Sequence, residues 1–146
     1  MLDLSARPEA FDTGPEFLEA IETCIGVLRY HRDVAIAYAA TNVPIYAQWR
    51  PTPDQARAGG CRHCTYYGLW AREWAGYTGS DHGIIWLFEH GIRTRKGDLL
   101  DNVMNTLLHE IDHALQRDHI LKALGLEQEA RAHSVRIAPC LKQHPC

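Results

Sequence analysis

The sequence lacks the long apolar segments and the charge excess that mark membrane and nucleic-acid-binding proteins. No run of apolar residues approaches the ~18 that a membrane span needs. The first 20 residues contain no apolar stretch of the kind found in secretory signals, so no signal peptide is expected. The formal net charge is −3 and the basic residues are scattered, which argues against nucleic acid or an anionic membrane as a partner. These absences favour a cytoplasmic location.

Cysteine is present, but not in a pattern that indicates a disulfide framework. The five cysteines are an odd number, and thiols or metal ligands are more typical of a reducing compartment. Cys61 and Cys64 have zinc-knuckle spacing, and Cys140, His144 and Cys146 lie near the other end of the sequence. Two interpretations stay open: a second, structural zinc held by these cysteines, or free thiols. A single C-x₂-C favours the thiols.

The length and the absence of internal repeats predict a single domain over residues 1–146, with residues 1–12 as a loose lead-in. Apolar spacing predicts a first helix from about residue 15 to residue 40, with a break near residues 31–33. The segment Thr13–Glu16 has the pattern of a capping box at the start of this helix.

Three segments between residues 42 and 92 favour strands. The segment 42–49 is β-branched and aromatic, and Pro44 places it near a sheet edge or at a strand start. The segment 64–76 is ambiguous between a hairpin and a partly helical stretch. The segment "GIIWLFEHGI", 83–92, is compact, rich in β-formers and bounded by glycine, and it predicts the best strand of the chain.

A second helix is predicted to begin after Asp98, which has the character of an N-cap. At 100° per residue an apolar face lies opposite a polar face that contains both His109 and His113. The apolar face comprises Leu100, Val103, Met104, Leu107, Leu108, Ile111, Ala114 and Leu115. The helix is predicted to reach at least Gln116. A further helix is predicted over residues 126–138.

The polar face carries the motif His109-Glu110-x-x-His113. Histidines at i and i+4 lie on one side of a helix, about 5–6 Å apart at Cβ, so both imidazoles can reach one Zn²⁺ ion. A catalytic zinc keeps three protein ligands and a water whose pKa falls toward 7. Glu110 lies about 100° around the helix from His109, which suits a general base for that water. The alternative is a helix with two histidines that face solvent.

The stretch "LLHEIDHAL" resembles the HExxH helix of the zincin metallopeptidases. The order "ARAGGC", "GIIWLF", "LLHEIDH" is similar to compact SprT-like peptidase domains, over roughly residues 56–133. The resemblance implies zinc binding by His109 and His113, a general-base role for Glu110, and a mixed sheet with the metal helix packed beneath it. We expect the strand before the metal helix to lie at a sheet edge, where an extended peptide substrate pairs with it.

Two residues compete for the third metal position. The spacing of His119 after His113 resembles that of metzincins, WLM-type peptidases and YbeY-type ribonucleases. Those families usually have glycine where this chain has Gln116, and on a continuing helix His119 points away from His113. The segment "GLEQEARAH" resembles the gluzincin helix, including that of the ImmA/IrrE-like peptidases, in which the ligand Glu is followed by Ala. This favours Glu129 as the ligand and brings His133 toward the site as a hydrogen-bond donor to the substrate or transition state.

Together these features predict a single α+β, zincin-like domain with an N-terminal helix, a small mixed sheet, the HExxH helix and a C-terminal helix. The predicted activity is hydrolysis of peptide bonds in a protein or peptide substrate by a metal-activated water, with one catalytic zinc. Two alternatives stay open. One is a YbeY-like zinc-dependent ribonuclease that uses His109, His113 and His119, and the other is a non-catalytic binding module on a zincin scaffold.

Overall fold

The computed structural model describes residues 13–58, 65–71 and 83–116, which form a mixed α+β arrangement. Within these residues no helix is both long enough and apolar enough to cross a membrane. In chain order the elements are α1 (Pro15–Leu28), α2 (Val34–Asn42), β1 (Ile45–Gln48), α3 (Pro53–Ala58), β2 (Gly68–Ala71), β3 (Ile84–Phe88), α4 (Glu89–Arg93) and α5 (Leu99–Gln116).

The three strands form one mixed sheet in the order β1–β3–β2. β1 runs parallel to β3, with Ile45 opposite Ile85, and β2 runs antiparallel to it, with Gly68 opposite Leu87. The predicted small mixed sheet is therefore present. The expectation that the strand before the long helix lies at an edge is wrong, because β3 is central and hydrogen-bonded on both sides. Its uninterrupted apolar sequence reflects burial of all five residues, as expected for a strand covered on both faces.

Both faces of the sheet are buried. Because side chains alternate along a strand, Ile85 and Leu87 point to one face, where they pack with apolar residues of α1, α2 and α5. The other face contributes a second cluster, in which the rings of Tyr46 and Trp86 lie 4.6 Å apart between centroids. The predicted packing of the long helix against the "IIWLF" strand thus involves alternate residues of that strand.

The predicted first helix is two helices, and the break falls where it was expected. Asp33 caps α2, since its carboxylate accepts hydrogen bonds from the backbone nitrogens of Ala35 and Ile36 at 3.0 and 3.4 Å. The predicted capping box at Thr13 is wrong. Gly14 is the N-cap of α1 without a side-chain cap bond, and its N–H donates to Glu89 Oε1 at 2.9 Å.

The predicted strand over residues 83–92 ends at Phe88, and the chain continues as the short helix α4. The reason is Glu89, which is buried and accepts hydrogen bonds from the Gly14 backbone and from Arg93 Nε at 2.6 Å. The i,i+4 geometry of a helix brings Arg93 to this carboxylate. Gly91 packs against the backbone oxygen of Tyr66, where no side chain would fit.

A buried pair of amides joins β1 to α3. Gln48 Nε2 donates to Gln55 Oε1 at 2.7 Å, and Gln55 Nε2 donates back to Gln48 Oε1 at 3.1 Å. The same Gln55 oxygen accepts from the backbone nitrogen of Thr52 at 2.9 Å. This network satisfies two buried side chains and holds the turn that follows β1.

Candidate metal centre

The helix α5 carries the predicted metal motif, and it begins where the sequence indicated. Asp98 accepts a hydrogen bond from the Asp101 backbone through its side chain, at 3.3 Å, and from the Asn102 backbone through its carbonyl, at 3.0 Å. These bonds satisfy backbone donors of the first turn. The cap therefore sets where α5 starts and which residues face the sheet.

The apolar face of α5 is buried as predicted, with one exception. Five residues of this face are fully buried: Val103, Leu107, Ile111, Ala114 and Leu115. Leu100 is instead 40% exposed, and Met104 and Leu108 are partly buried against the core. Cys24 Sγ approaches the Leu100 oxygen at 3.7 Å.

His109 and His113 converge on one point. Their Nε2 atoms lie 2.9 Å apart and their ring centroids 4.6 Å apart, with the ring planes inclined at 75°. A hydrogen bond at this distance requires a proton on one of the two Nε2 atoms, and the tautomers decide which ring donates. His113 is only 8% exposed and His109 is half-buried. The pair therefore differs from two independent histidines that face solvent.

The separation of the two nitrogens is close to that of a zinc site. With Zn–N bonds of ~2.0–2.1 Å and tetrahedral angles, two nitrogen ligands lie about 3.3 Å apart. The observed 2.9 Å is shorter by about 0.4 Å, which small side-chain rotations supply. Two imidazoles on one side of a helix fit two corners of such a site. The remaining corners require ligands from elsewhere.

Glu110 is buried beneath β2. Its side chain is 2% exposed, and its Cγ lies 3.1 Å from the position that a Cβ at Gly68 would occupy. The carboxylate side chain therefore lies against the first residue of an outer strand. It is adjacent in sequence to His109 and shares a side of the helix with His113, as a general base next to the two ligands requires.

Glu110 belongs to a buried polar stripe, which the sequence did not predict. Its members are Asn102, Thr106, Glu110 and His113. The sequence places Asn102, Thr106 and His113 on the face opposite the apolar one, which solvent usually covers. Here β2 covers it, and Gly68 is the point of closest approach to Thr106 and Glu110. A glycine inside a strand segment is a known signal of close backbone approach, and it is the feature that could have revealed the contact.

Several predicted site residues lie outside the described part of the chain. They are Glu129, His119, His133, Cys61, Cys64, Cys140 and Cys146. Among residues 13–58, 65–71 and 83–116, no three His, Cys, Asp or Glu side chains are grouped closely enough to hold a metal ion. The choice between Glu129 and His119, and the second zinc, thus remain predictions.

Tyr66 and Tyr67, in the turn before β2, contact cationic and imidazole side chains. The Tyr66 hydroxyl lies 3.4 Å from His90 Nδ1, and the Arg50 guanidinium lies 2.9 Å from Nε2 of the same ring. The Arg95 guanidinium covers the ring of Tyr67 at 3.9 Å, a cation–π contact. These contacts join the turn before β2 to α4 and to the segment that follows it.

Cys24 is a packing residue of α1. It is a buried free thiol. Burial raises the pKa of the Cys24 thiol to about 11, and the Asp101 carboxylate adds to the shift. A buried thiol with so high a pKa is protonated at neutral pH and therefore a poor nucleophile.

Comparisons with models of known protein families, with curated proteins and with solved structures found no match to this chain.

Proposed function

We propose that this chain is a zinc-dependent metallopeptidase with a zincin-like arrangement. The observation that carries the proposal is the convergence of the His109 and His113 Nε2 atoms at 2.9 Å on a helix whose next residue, Glu110, is buried against an outer strand. A ligand pair and a neighbouring carboxylate are the components that hydrolysis by an activated water requires.

The metal would be held by His109 and His113, with Glu129 as the third ligand and His119 as its rival. When bound, Zn²⁺ supplies Lewis-acid chemistry: it lowers the pKa of a water toward 7 and polarises a carbonyl oxygen. The two imidazoles bind in their neutral form, so each gives up any proton on Nε2. The hydrogen bond between the rings is therefore replaced when the ion binds.

Glu110 acts as the general base. It accepts a proton from the attacking water while the water oxygen bonds to the scissile carbonyl carbon. It then passes the proton to the departing amine as the C–N bond breaks. Its burial against β2 limits the positions that the carboxylate can adopt, which favours catalysis by orientation. His133 is the proposed donor to the substrate or transition state.

The substrate is proposed to be an extended peptide paired with β2. β3 has partners on both sides, whereas β2 is an outer strand of the sheet that the described residues form. Gly68 of this strand lies against Glu110, so a peptide along β2 passes beside the base. Strand addition at a sheet edge supplies backbone hydrogen bonds that do not depend on sequence.

The first experiment measures metal and activity together. Native mass spectrometry counts bound zinc, and cleavage of labelled casein and a quenched-peptide library is followed with and without a chelator. An RNA substrate is assayed in parallel. We expect one catalytic zinc, peptide cleavage that the chelator abolishes, and intact RNA. Purified protein that neither contains nor takes up zinc would overturn the proposal, and RNA cleavage alone would assign it to the ribonuclease class.

Glu110→Gln tests the general base. We expect zinc to be retained and kcat to fall by about 10²- to 10⁴-fold. Glu22→Gln, at an exposed position of α1, is the matched control and should leave kcat unchanged. Undiminished cleavage by Glu110→Gln would refute the role of Glu110.

The third ligand is tested by metal content. Glu129→Ala should lower zinc occupancy far more than His119→Ala, and the reverse result assigns the position to His119. A second zinc equivalent that disappears in Cys61→Ser would indicate the structural site. If the wild type binds a single equivalent, or Cys61→Ser keeps both, the cysteine site does not exist.

A further inference from the structure

Gly68, the first residue of β2, has a structural environment that excludes a side chain. An ideal Cβ at this position would lie 3.0 Å from Thr106 Cγ2, 3.1 Å from Glu110 Cγ and 3.1 Å from the Trp86 backbone oxygen. Carbon atoms in van der Waals contact are about 3.5–4.0 Å apart. Even the smallest side chain would therefore push on the helix, on the central strand, or on both.

The backbone conformation of Gly68 does not itself require glycine. Positive φ angles among the described glycines occur at Gly83 and Gly97, whereas Gly68 pairs in extended register with Leu87. Glycine weakens a strand interior because it has no side chain to pack and loses more entropy on folding. Space for α5, rather than a turn, is the property that glycine supplies here.

The face on which Gly68 lies explains which residue feels this contact. Leu69 and Ala71 belong to the cluster on the other face of the sheet, so Gly68 and Trp70 point toward α5. The helix meets the strand backbone through Thr106 and Glu110, one turn apart. The Cγ methylene of Glu110 therefore packs where the Gly68 side chain would have been.

We propose that Gly68 is a positioning residue for the general base. Its missing side chain sets the depth at which the Glu110 side chain lies beneath β2, and so the distance from the carboxylate to the reacting water. This inference rests on the proposed peptidase function. It adds that β2, along which the substrate is proposed to lie, also positions the Glu110 carboxylate. β2 and Glu110 therefore keep a fixed position relative to each other.

Thr106 offers a way to test this contact without altering Glu110. The Thr106 hydroxyl donates to the Asn102 backbone oxygen at 2.9 Å, and a serine keeps that hydroxyl. Thr106→Ser removes only Cγ2, the atom nearest to the added methyl group. The double variant Gly68→Ala/Thr106→Ser therefore adds one methyl group and removes the nearest of the three atoms it meets, while Glu110 Cγ and the Trp86 oxygen stay in place.

The experiment compares Gly68→Ala, Thr106→Ser and the double variant with the wild type. Gly26→Ala is the matched control, since a Cβ there meets no atom within 4 Å. Zinc content, kcat and KM are measured with the best peptide from the quenched library, and urea unfolding confirms that each variant is folded. The value of kcat tests whether Gly68 positions Glu110 for catalysis. The free energy of unfolding tests whether a side chain at position 68 strains the contact with α5.

We expect Gly68→Ala to lower kcat by about tenfold, since misplacement of a catalytic group by ~1 Å costs up to ~10²-fold. Zinc content and KM should stay within about twofold, because His109 and His113 do not meet the new methyl group. The double variant should stay several-fold slower than Thr106→Ser, because Glu110 Cγ still meets the new methyl group, and Thr106→Ser alone should retain the wild-type kcat. Gly26→Ala should match the wild type.

Wild-type kcat in folded Gly68→Ala would overturn the inference. So would a loss shared with zinc content, or a double variant as fast as Thr106→Ser, which would mean that the effect passes through Thr106 and not through Glu110. If Gly68→Ala does not fold, the double variant measured against Thr106→Ser decides the question. Failure of the proposed function has a different signature: a wild type with neither zinc nor peptide cleavage. In that case the positioning role falls with the reaction, while unfolding data still report the contact.

Discussion

The buried thiol of Cys24 makes the stability of this protein depend on pH in a defined range. Burial, assisted by the Asp101 carboxylate, raises its pKa from 9.0 to about 11. In the unfolded chain the thiol is exposed and titrates near its ordinary value. The perturbation that isolates this effect is Cys24→Ala, which removes the ionisable group and leaves the other titrating residues in place.

The sign and size follow from proton linkage. Below pH 9 the thiol is protonated in both states and contributes nothing. Between pH 9 and 11 the unfolded chain releases the proton and the folded chain keeps it, so the free energy of unfolding falls as the pH rises. Each pH unit between the two pKa values corresponds to about 1.4 kcal/mol, so the full loss above pH 11 is roughly 3 kcal/mol.

The assay is urea unfolding of the wild type and of Cys24→Ala at pH 8, 9, 10 and 11, under reducing conditions. Removal of the small Cys24 side-chain group lowers the packing contribution to the free energy of unfolding by about 1 kcal/mol at every pH. The variant does not, however, lose stability through ionisation of this thiol as the pH rises. The difference between the two proteins should therefore shrink and reverse as the pH rises. If the free energies of unfolding of the two proteins change in parallel from pH 8 to pH 11, burial does not raise the pKa of Cys24. Alkylation of Cys24 in the native protein at pH 9 as fast as in urea would refute this effect of burial as well.

Three further predictions follow from named contacts. Zn²⁺ at 100 times its dissociation constant should stabilise the wild type by about 2.7 kcal/mol, and neither the chelated protein nor His113→Ala should gain; a zinc-independent Tm contradicts the metal pair. Gly91→Ala should cost about 2–3 kcal/mol in urea unfolding, because its Cβ would strike the Tyr66 backbone oxygen, whereas Gly26→Ala should gain about 0.5–1 kcal/mol. Equal free energies of unfolding for these two variants would argue against the close contact between Gly91 and Tyr66. Gln55→Leu should lower the free energy of unfolding by about 1–3 kcal/mol, because the buried amide of Gln48 in β1 loses its hydrogen-bond partner. An unchanged free energy of unfolding would mean that the turn after β1 rearranges.

Local sequence signals predicted α1, α2 and α5, but neither of the short helices α3 and α4. The Asp98 cap and the apolar spacing located α5, and its buried face matches the prediction except at Leu100. The break before α2 was also predicted, because Asp33 is a good N-cap wherever it precedes an apolar run. Helical signals succeed because they depend on residues within a few positions of one another.

The errors lie where a distant residue changes a local preference. The predicted strand stops after Phe88 and the chain turns into a helix, in which Glu89 accepts a hydrogen bond from Gly14, 75 residues away in sequence. The same contact replaces the predicted cap at Thr13. The central position of β3 depends on partners from two separate segments, and no periodicity within β3 distinguishes the centre of a sheet from its edge.

The amino-acid sequence alone determined that two histidines and a glutamate occupy one face of one helix, because a helix repeats every 3.6 residues whatever surrounds it. Only the tertiary structure decided that Glu110 and His113 are buried while His109 is half-buried, that β2 approaches Glu110 through a glycine, and that β3 is paired on both sides. Those outcomes depend on how segments far apart in the chain share space in the core, which no local pattern encodes.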